Sequence, residues 1–165
     1  MAKQGGKRGP HLARQLEFLA YSGMRAFSEA AWLTWEDIDF EREEMVVRGN
    51  PETGTKNSEV RRIPLIADMR QLLERLRPAT TLTGRVLKIE RCEARLRQTC
   101  KETGITAITL HDLRHLFATR CIESGVDIPT VSRWLGHKDG GTLAMKTYGH
   151  LRNEHSKAMA KRVKF

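Results

Sequence analysis

The chain has 165 residues, which is enough for one well-buried core and rather few for two, so we expect a single compact domain. Lys and Arg outnumber Asp and Glu by 29 to 20, and the formal net charge of +9 favours a nucleic acid as partner over an acidic membrane surface. No stretch is apolar for long enough to cross a bilayer, and residues 1–10 lack the apolar segment of a secretory signal. These features predict a cytoplasmic protein with no membrane partner.

The cysteines also bear on the compartment. Cys92, Cys100 and Cys121 are odd in number and form no Cys-x-x-Cys pair. This pattern indicates free thiols in a reducing compartment, and neither a disulfide framework nor a zinc knuckle. Cys121 lies among apolar helical neighbours, which predicts a place in the core.

The first third of the chain begins with a Gly- and Lys-rich segment, residues 1–10, which predicts a flexible basic arm or linker. Apolar residues then recur at helical spacing over 12–20, and this first predicted helix ends before Gly23. A second helix is expected to begin near Ser28, whose hydroxyl can cap its first turn, and to end at about Thr34.

The apolar period changes between residues 38 and 65, where short apolar runs separated by turn-rich sequence predict a three-stranded antiparallel meander. Helical spacing returns afterwards, and the predicted helices cover residues 67–77, 89–102, 109–124, 128–135, 142–148 and 152–162. Asp127, two residues before Pro129, can cap the helix that follows it. The fold class is therefore mainly α (α+β), with one small antiparallel sheet.

The most informative stretch for chemistry is residues 109–151. Thr109 and Asp112 have the spacing of a capping box, which predicts that His111 and Arg114 lie near the start of a helix and share one face. Amides at a helix N-terminus, a guanidinium and an imidazole together suit a phosphate on which negative charge develops. Taken alone, the His-x-x-Arg pair is weak evidence, because such pairs arise by chance and an ordinary exposed helical face explains it better.

Several separate motifs resemble those of the tyrosine recombinase family and occur in the family's order. YSGMRAFSEAAWLTWEDID resembles the first arginine box, and GTKNSEVRRIPL resembles the β-hairpin whose active-site lysine lies eight residues before a proline. HDLRH resembles the His-x-x-Arg box, LGH the second histidine box, and KTYGHL the segment that carries the nucleophilic tyrosine. The resemblance identifies residues 11–165 as a catalytic domain with the DNA breaking-rejoining enzyme fold.

The resemblance implies a site-specific DNA recombinase, or integrase, with these catalytic residues: Arg25, Lys56, His111, Arg114, His137 and Tyr148. Tyr148 would attack the scissile phosphate, form a 3′-phosphotyrosyl link and release a 5′-hydroxyl. Arg25 and Arg114 would clamp the non-bridging oxygens, with His137 as a further donor. Lys56 would protonate the leaving 5′-oxygen, and His111 would help manage the proton of the tyrosine.

The resemblance also bears on cofactors and partners. We expect no metal, nucleotide or other cofactor, because guanidinium and imidazole groups supply the positive charge and the covalent link keeps the energy of the broken bond. The expected partner is double-stranded DNA at specific recombination sites. The isolated domain is expected to be a monomer, and the full-length protein a tetramer on DNA. The expected location is the cytoplasm of a prokaryote, with a phage or mobile element as the source.

Two spacings depart from the family's pattern. One residue more than usual separates Arg25 from Trp35, which could rotate Arg25 relative to its helix. About two extra residues separate His137 from Tyr148, and a longer loop there could make the tyrosine mobile before DNA binds. Because nothing in residues 1–10 could form the upstream domain of these recombinases, we expect a fragment or an isolated catalytic domain that binds DNA weakly.

Other interpretations stay open. The chain could be a catalytically inactive DNA-binding module with the recombinase fold, or a nicking topoisomerase with related chemistry. His111 and His115 have a spacing that can bind a metal, as in a metal-dependent nuclease, although no third ligand has a metal-site spacing; otherwise His115 packs or makes a supporting hydrogen bond. Glu29 could orient a catalytic group or interact only with a helix start. The tail over 152–162 could dock on a neighbouring subunit or pack within the chain.

Overall fold

The computed structural model describes residues 8–55, 59–138, 141–149 and 160–161. Its α-helices are α1 (Arg8–Ser22), α2 (Ala67–Leu76), α3 (Glu93–Thr103), α4 (Leu110–Glu123), α5 (Ile128–Leu135) and α6 (Thr142–Tyr148). Its strands are β1 (Ile38–Asp39), β2 (Glu44–Val47) and β3 (Arg61–Pro64). The predicted fold class, mainly helical with a small antiparallel sheet, is therefore confirmed.

The sheet has the order β1-β2-β3, and both pairings are antiparallel, as the meander predicted. Met45 of β2 lies opposite Ile38 on one side and Ile63 on the other. Met45, Val47 and Ile63 are buried, so one face of the sheet contributes directly to the core. The sheet therefore packs with one face against the core, and this packing fixes the position of β3.

The helices pack around a shared apolar core. α1 lies against both α2 and α4, and α5 contacts α4, α6 and β3. Phe18 and Leu19 of α1 are buried in the same cluster as Phe117 and Ala118 of α4. This packing brings the end of α1, the start of α4 and the end of α5 to one region of the molecule.

The local signals at helix ends are confirmed. The Thr109 side chain accepts from the Asp112 amide, and the Asp112 carboxylate accepts from the Thr109 amide at 2.7 Å. Asp127 likewise caps α5 by accepting from the Thr130 amide at 2.9 Å. Gly136 ends α5 in the left-handed conformation, which turns the chain into the segment that follows.

Three predictions about the extent of helices are wrong. The second predicted helix, from Ser28 to Thr34, is only a 3₁₀ turn over Ala30–Trp32, and Ser28 does not cap it. The helix predicted over 89–102 begins later, at Glu93, because the side-chain amide of Gln15 pairs with both backbone groups of Glu90 at 2.8 and 3.0 Å and keeps that residue non-helical. α1 begins at Arg8, inside the segment predicted as an arm.

Three other expectations concern particular segments. The helix predicted over 152–162 lies outside the described residues except at 160–161. The cysteines Cys92, Cys100 and Cys121 are all free thiols and all buried. Among the helices of the described ranges, none combines the length and the apolar character that spanning a bilayer requires.

Candidate active site

Arg114, on the first turn of α4, connects three segments of the chain. Its residue is only 4% exposed, and its guanidinium donates to the carbonyl oxygens of Gly23 at 2.7 Å and Leu135 at 2.5 Å. Its Nη2 also lies 3.2 Å from Nε2 of His137. Because a guanidinium has no acceptor, that imidazole nitrogen must accept. The site therefore forms where the end of α1, the start of α4 and the end of α5 meet.

The guanidinium of Arg25 reaches the same region through Glu29, whose side chain is fully buried. Arg25 donates to the Glu29 carboxylate at 2.6 Å from Nη1 and at 2.9 Å from its backbone amide. Arg61 of β3 donates two more hydrogen bonds, at 3.1 and 2.8 Å, and Arg114 Nη1 lies 4.0 Å away. Burial alone raises the pKa of Glu29, but the hydrogen bonds and charges of Arg61 and Arg25 hold it below its ordinary value.

Arg61 ties the sheet to this cluster. In addition to Glu29, its Nε donates to the carbonyl oxygen of Trp134 in α5 at 2.7 Å. A Cβ at Gly136 would lie 3.0 Å from an Arg61 Nη atom, so a glycine lets the end of α5 pass close to this side chain. β3, the turn after α1 and the end of α5 are thereby held together by one side chain that the sequence motifs did not single out.

Arg25, His111 and Arg114 line one cavity of about 280 Å³. Burial lowers the pKa of Arg114 to about 10, with a further contribution from Arg25, so the guanidinium stays charged at neutral pH. Burial, His115 and Arg114 together lower the pKa of His111, so its imidazole is neutral at neutral pH. The cavity thus offers two fixed cations and a neutral imidazole, an arrangement that suits an anion.

Tyr148, the last residue of α6, is linked to this cavity through His115 and His111 of α4. The residue is 7% exposed, and its hydroxyl is hydrogen-bonded to Nδ1 of His115. Burial raises the pKa of the phenol, and the nearby charge of Arg114 opposes that rise. The His115 ring in turn meets the His111 ring edge to face, with centroids 4.7 Å apart. One face of α4 therefore presents two imidazoles along the path from the tyrosine to the cavity.

The structure brings together five of the residues predicted for the site: Arg25, His111, Arg114, His137 and Tyr148. Lys56 lies outside the described residues, as do 139 and 140 in the loop before α6. The extra residue after Arg25 falls in the turn before the Ala30–Trp32 3₁₀ helix, and Arg25 still faces the cavity shared with Arg114. A larger cavity of about 820 Å³, between the start of α1 and 88–95, contains no predicted catalytic residue.

Two residues in this region, His115 and Arg61, have contacts that the sequence did not indicate. His115 was expected to pack or to make a supporting hydrogen bond, and its contact is with the predicted nucleophile itself. The four-residue spacing from His111 placed it on the same helix face, but only the packing of α6 shows what meets that face. Arg61 offered no local signal. In the described ranges, His, Cys, Asp and Glu side chains form no group of three that could hold a metal ion.

Comparisons with known proteins bear on the family and the fold of the chain. The model of the phage integrase family matches residues 7–155. Tyrosine recombinase XerA of Saccharolobus solfataricus is 31% identical over 150 residues, which cover 88% of this chain and 49% of the relative. The chain spans about half the length of the curated relatives it matches.

Two solved structures share the fold. The Tn1549 transposon integrase in complex with circular intermediate DNA aligns with a TM-score of 0.69 at 22% identity, over 98% of this chain and 62% of that chain. The catalytic domain of bacteriophage HP1 integrase aligns with a TM-score of 0.66 at 22% identity, over 94% of this chain and 84% of that chain. Nearly the whole chain therefore corresponds to a domain-sized unit.

Proposed function

Because the chain belongs to the phage integrase family, we propose that it is the catalytic domain of a site-specific DNA recombinase that cuts and rejoins strands through a 3′-phosphotyrosyl intermediate. One observation carries the proposal: the buried hydroxyl of Tyr148 is hydrogen-bonded to His115 and lies within the field of Arg114, which lines one cavity together with Arg25 and His111. A phenol within the field of one guanidinium, in a site where a second guanidinium lines the same cavity as the first, suits attack on a phosphodiester.

In the proposed reaction the Tyr148 oxygen forms a bond to phosphorus while the bond from phosphorus to the 5′-oxygen breaks. Negative charge develops on the non-bridging oxygens, and Arg25 and Arg114 stabilise it. Nη2 of Arg114 is committed to Leu135 and His137, so Arg114 contributes mainly its buried charge. Arg25, with a side chain 22% exposed, is the more accessible donor to a phosphate oxygen.

The remaining roles belong to His137 and Lys56. His137 adjoins Nη2 of Arg114, and since its Nε2 accepts there, we assign the further donor role toward the phosphate to its Nδ1. Lys56 is proposed as the general acid for the leaving 5′-oxygen. Thr55, just before it in the sequence, accepts from the Glu59 amide and donates to the Glu59 carbonyl, both at 3.0 Å, so Thr55 and Glu59 are joined directly. Arg61 then anchors the following strand to Glu29 in the site.

The proposed partner is double-stranded DNA at specific recombination sites, in agreement with the net charge of +9. We assign residues 11–165 to the catalytic domain, acting as a monomer in isolation and as a tetramer on DNA within a longer recombinase. The proposed location is the cytoplasm of a prokaryotic cell, where the DNA of a phage or mobile element is accessible. The proposed chemistry uses neither metal nor nucleotide.

A covalent trapping experiment tests the proposal. The chain is incubated with nicked suicide duplexes made from the DNA junctions that flank its gene, and adducts that survive denaturation are separated by electrophoresis. We expect an adduct from the unchanged chain and from Tyr21→Phe, the matched control, but none from Tyr148→Phe. The adduct should also form in the presence of a chelator. Binding to DNA without any adduct would instead identify an inactive DNA-binding module, and cleavage that a chelator abolishes would identify a metal-dependent nuclease.

A further inference from the structure

We infer that His115 is the catalytic base that holds the hydroxyl of Tyr148 and takes its proton, and that His111 serves the phosphate instead. The inference rests on the proposed function and reassigns one step within it. The motif resemblance gave the tyrosine's proton to His111. The contacts of the two imidazoles differ, and that difference decides the assignment.

The contact between His115 and Tyr148 is the first argument. Nδ1 of His115 is hydrogen-bonded to the phenol oxygen, which is the atom that must attack phosphorus. No hydrogen bond in the described part of the chain joins His111 to this tyrosine. Because proton transfer requires hydrogen-bond reach, His115 is the imidazole placed to accept this proton.

The surroundings of the phenol are the second argument. Tyr148 is buried, so bulk water has little access to its hydroxyl. A buried phenol loses its proton readily only to a group that already touches it, and the charge of Arg114 then stabilises the oxygen that remains. His115 and Arg114 are neighbours on α4, so a single turn of helix supplies both the base and the stabilising charge.

The position of His111 is the third argument. Its side chain lines the 280 Å³ cavity together with Arg25 and Arg114, on the side where the phosphate would lie. Its ring meets that of His115 edge to face, which orients the His115 ring toward α6. A neutral imidazole in this cavity can donate to a non-bridging oxygen. His115 therefore acts on the tyrosine oxygen of the forming bond, and His111 acts on the phosphate.

The proton balance is complete without any further reactant. The transfer of the tyrosine's proton requires Nδ1 of His115 to be unprotonated before attack, with the proton of the ring on Nε2. As the tyrosine oxygen bonds to phosphorus, its proton moves to Nδ1, the bond to the 5′-oxygen breaks, and Lys56 protonates that oxygen. In the rejoining step an incoming 5′-hydroxyl gives its proton to Lys56, and the imidazolium of His115 returns a proton to the tyrosine.

The test uses substrates in which sulfur replaces the bridging 5′-oxygen. A thiolate leaves without a proton, so sulfur relieves the need for the general acid but not for the base. His115→Asn keeps an acceptor oxygen near the position of Nδ1 but cannot take a proton, and His115→Phe keeps a ring without the acceptor. We expect both variants to slow adduct formation by about 10²–10⁴-fold on oxygen and sulfur substrates alike. Lys56→Ala, by contrast, should form the adduct slowly on the oxygen substrate and should recover its rate on the sulfur substrate.

Tyr21→Phe, outside the site, is the matched control and should form the adduct at the unchanged rate. Adduct formation by His115→Asn at the unchanged rate, or recovery of His115→Asn on sulfur, would overturn the inference while leaving the proposed function intact. Failure of the unchanged chain to form any adduct would instead overturn the proposed function, and the base role with it.

A nitrogen NMR measurement checks the contact without DNA. The Nδ1 resonance of His115 should have the position of an unprotonated, hydrogen-bonded nitrogen, and Tyr148→Phe should shift it while the resonances of His11 stay in place. This readout remains informative even for variants that do not cut DNA. An Nδ1 that carries a proton, or one that does not respond to Tyr148→Phe, would show that His115 does not accept from the tyrosine.

Discussion

Replacement of Glu29 by Gln would test whether one buried carboxylate holds the cationic site together. The Glu29 side chain is fully buried and lies within 4.0 Å of the guanidinium groups of Arg25, Arg61 and Arg114. Removing one member of a buried ion pair costs about 3–5 kcal/mol, because the remaining charges lose their compensation. The glutamine keeps one acceptor oxygen, so we expect a loss of about 3 kcal/mol, a large part of the stability of about 5–15 kcal/mol typical of a domain.

Urea-induced unfolding, followed by tryptophan fluorescence, measures this loss of stability. With a slope of about 1–3 kcal/mol per molar urea, the midpoint should fall by roughly 1 M or more. Glu43→Gln is the matched control, because Glu43 pairs with Arg70 at 2.8 Å but its side chain is 63% exposed. An exposed pair contributes about 0–1 kcal/mol. If the two variants lose the same stability, Glu29 does not organise the arginines.

The pH dependence of the same difference gives a second check. Folding lowers the pKa of Glu29, so its carboxylate stabilises the folded chain above 4.5, the ordinary value. This contribution disappears as the pH falls through the lowered pKa. The difference in unfolding free energy between the unchanged chain and Glu29→Gln should therefore be largest near neutral pH and become smaller in acid. A difference that grows in acid would have the wrong sign for a compensating carboxylate.

Two further predictions concern packing and DNA binding. Gly23→Ala should cost about 2–5 kcal/mol, because its φ is +61° and a Cβ would lie 2.5 Å from the Phe117 ring. Gly84→Ala, at a φ of +78° with open space around it, should lose only the stability that the backbone strain costs. If the two variants lose the same unfolding free energy in urea, the contact with Phe117 is not the cause. Arg133, in the last turn of α5, lines a cavity together with His137, so Arg133→Gln should lower the slope of log affinity for duplex DNA against log salt by about one. Arg120→Gln, at the far end of α4, should leave that slope unchanged, and an equal effect of both would refute a local contact.

The parts of the fold that local sequence encodes were predicted well. The capping box of Thr109 and Asp112 lies within four consecutive residues, and α4 begins where that motif requires. The short apolar runs separated by turn-rich sequence in residues 38–65 likewise predicted the three-stranded sheet. The prediction for the segment after Arg25 was wrong because distant contacts, and not the local sequence, determine its conformation. Its conformation depends on Glu29, which turns back to the Arg25 amide and also binds Arg61, 32 residues away.

The candidate site shows the same division between local and distant information. Motif spacing pointed to Arg114 and Tyr148, but it could not show that His115 would meet the tyrosine, 33 residues later in the chain. That contact depends on how α6 packs against the rest of the molecule. The role of Arg61 was equally hidden, since one basic residue in a strand resembles any other until its partners in two distant segments are known.

The anchoring of Arg114 has a consequence for how the site meets its ligand. Its guanidinium could swing toward an incoming anion only by abandoning the carbonyls of Gly23 and Leu135, and each buried acceptor left without a donor costs about 1–3 kcal/mol. The cation is therefore locked in position as the polypeptide folds, and it is the anion that must adjust. An inactive Arg114 variant would consequently report a distorted scaffold as much as a missing charge, so its behaviour alone cannot measure what the guanidinium contributes to catalysis.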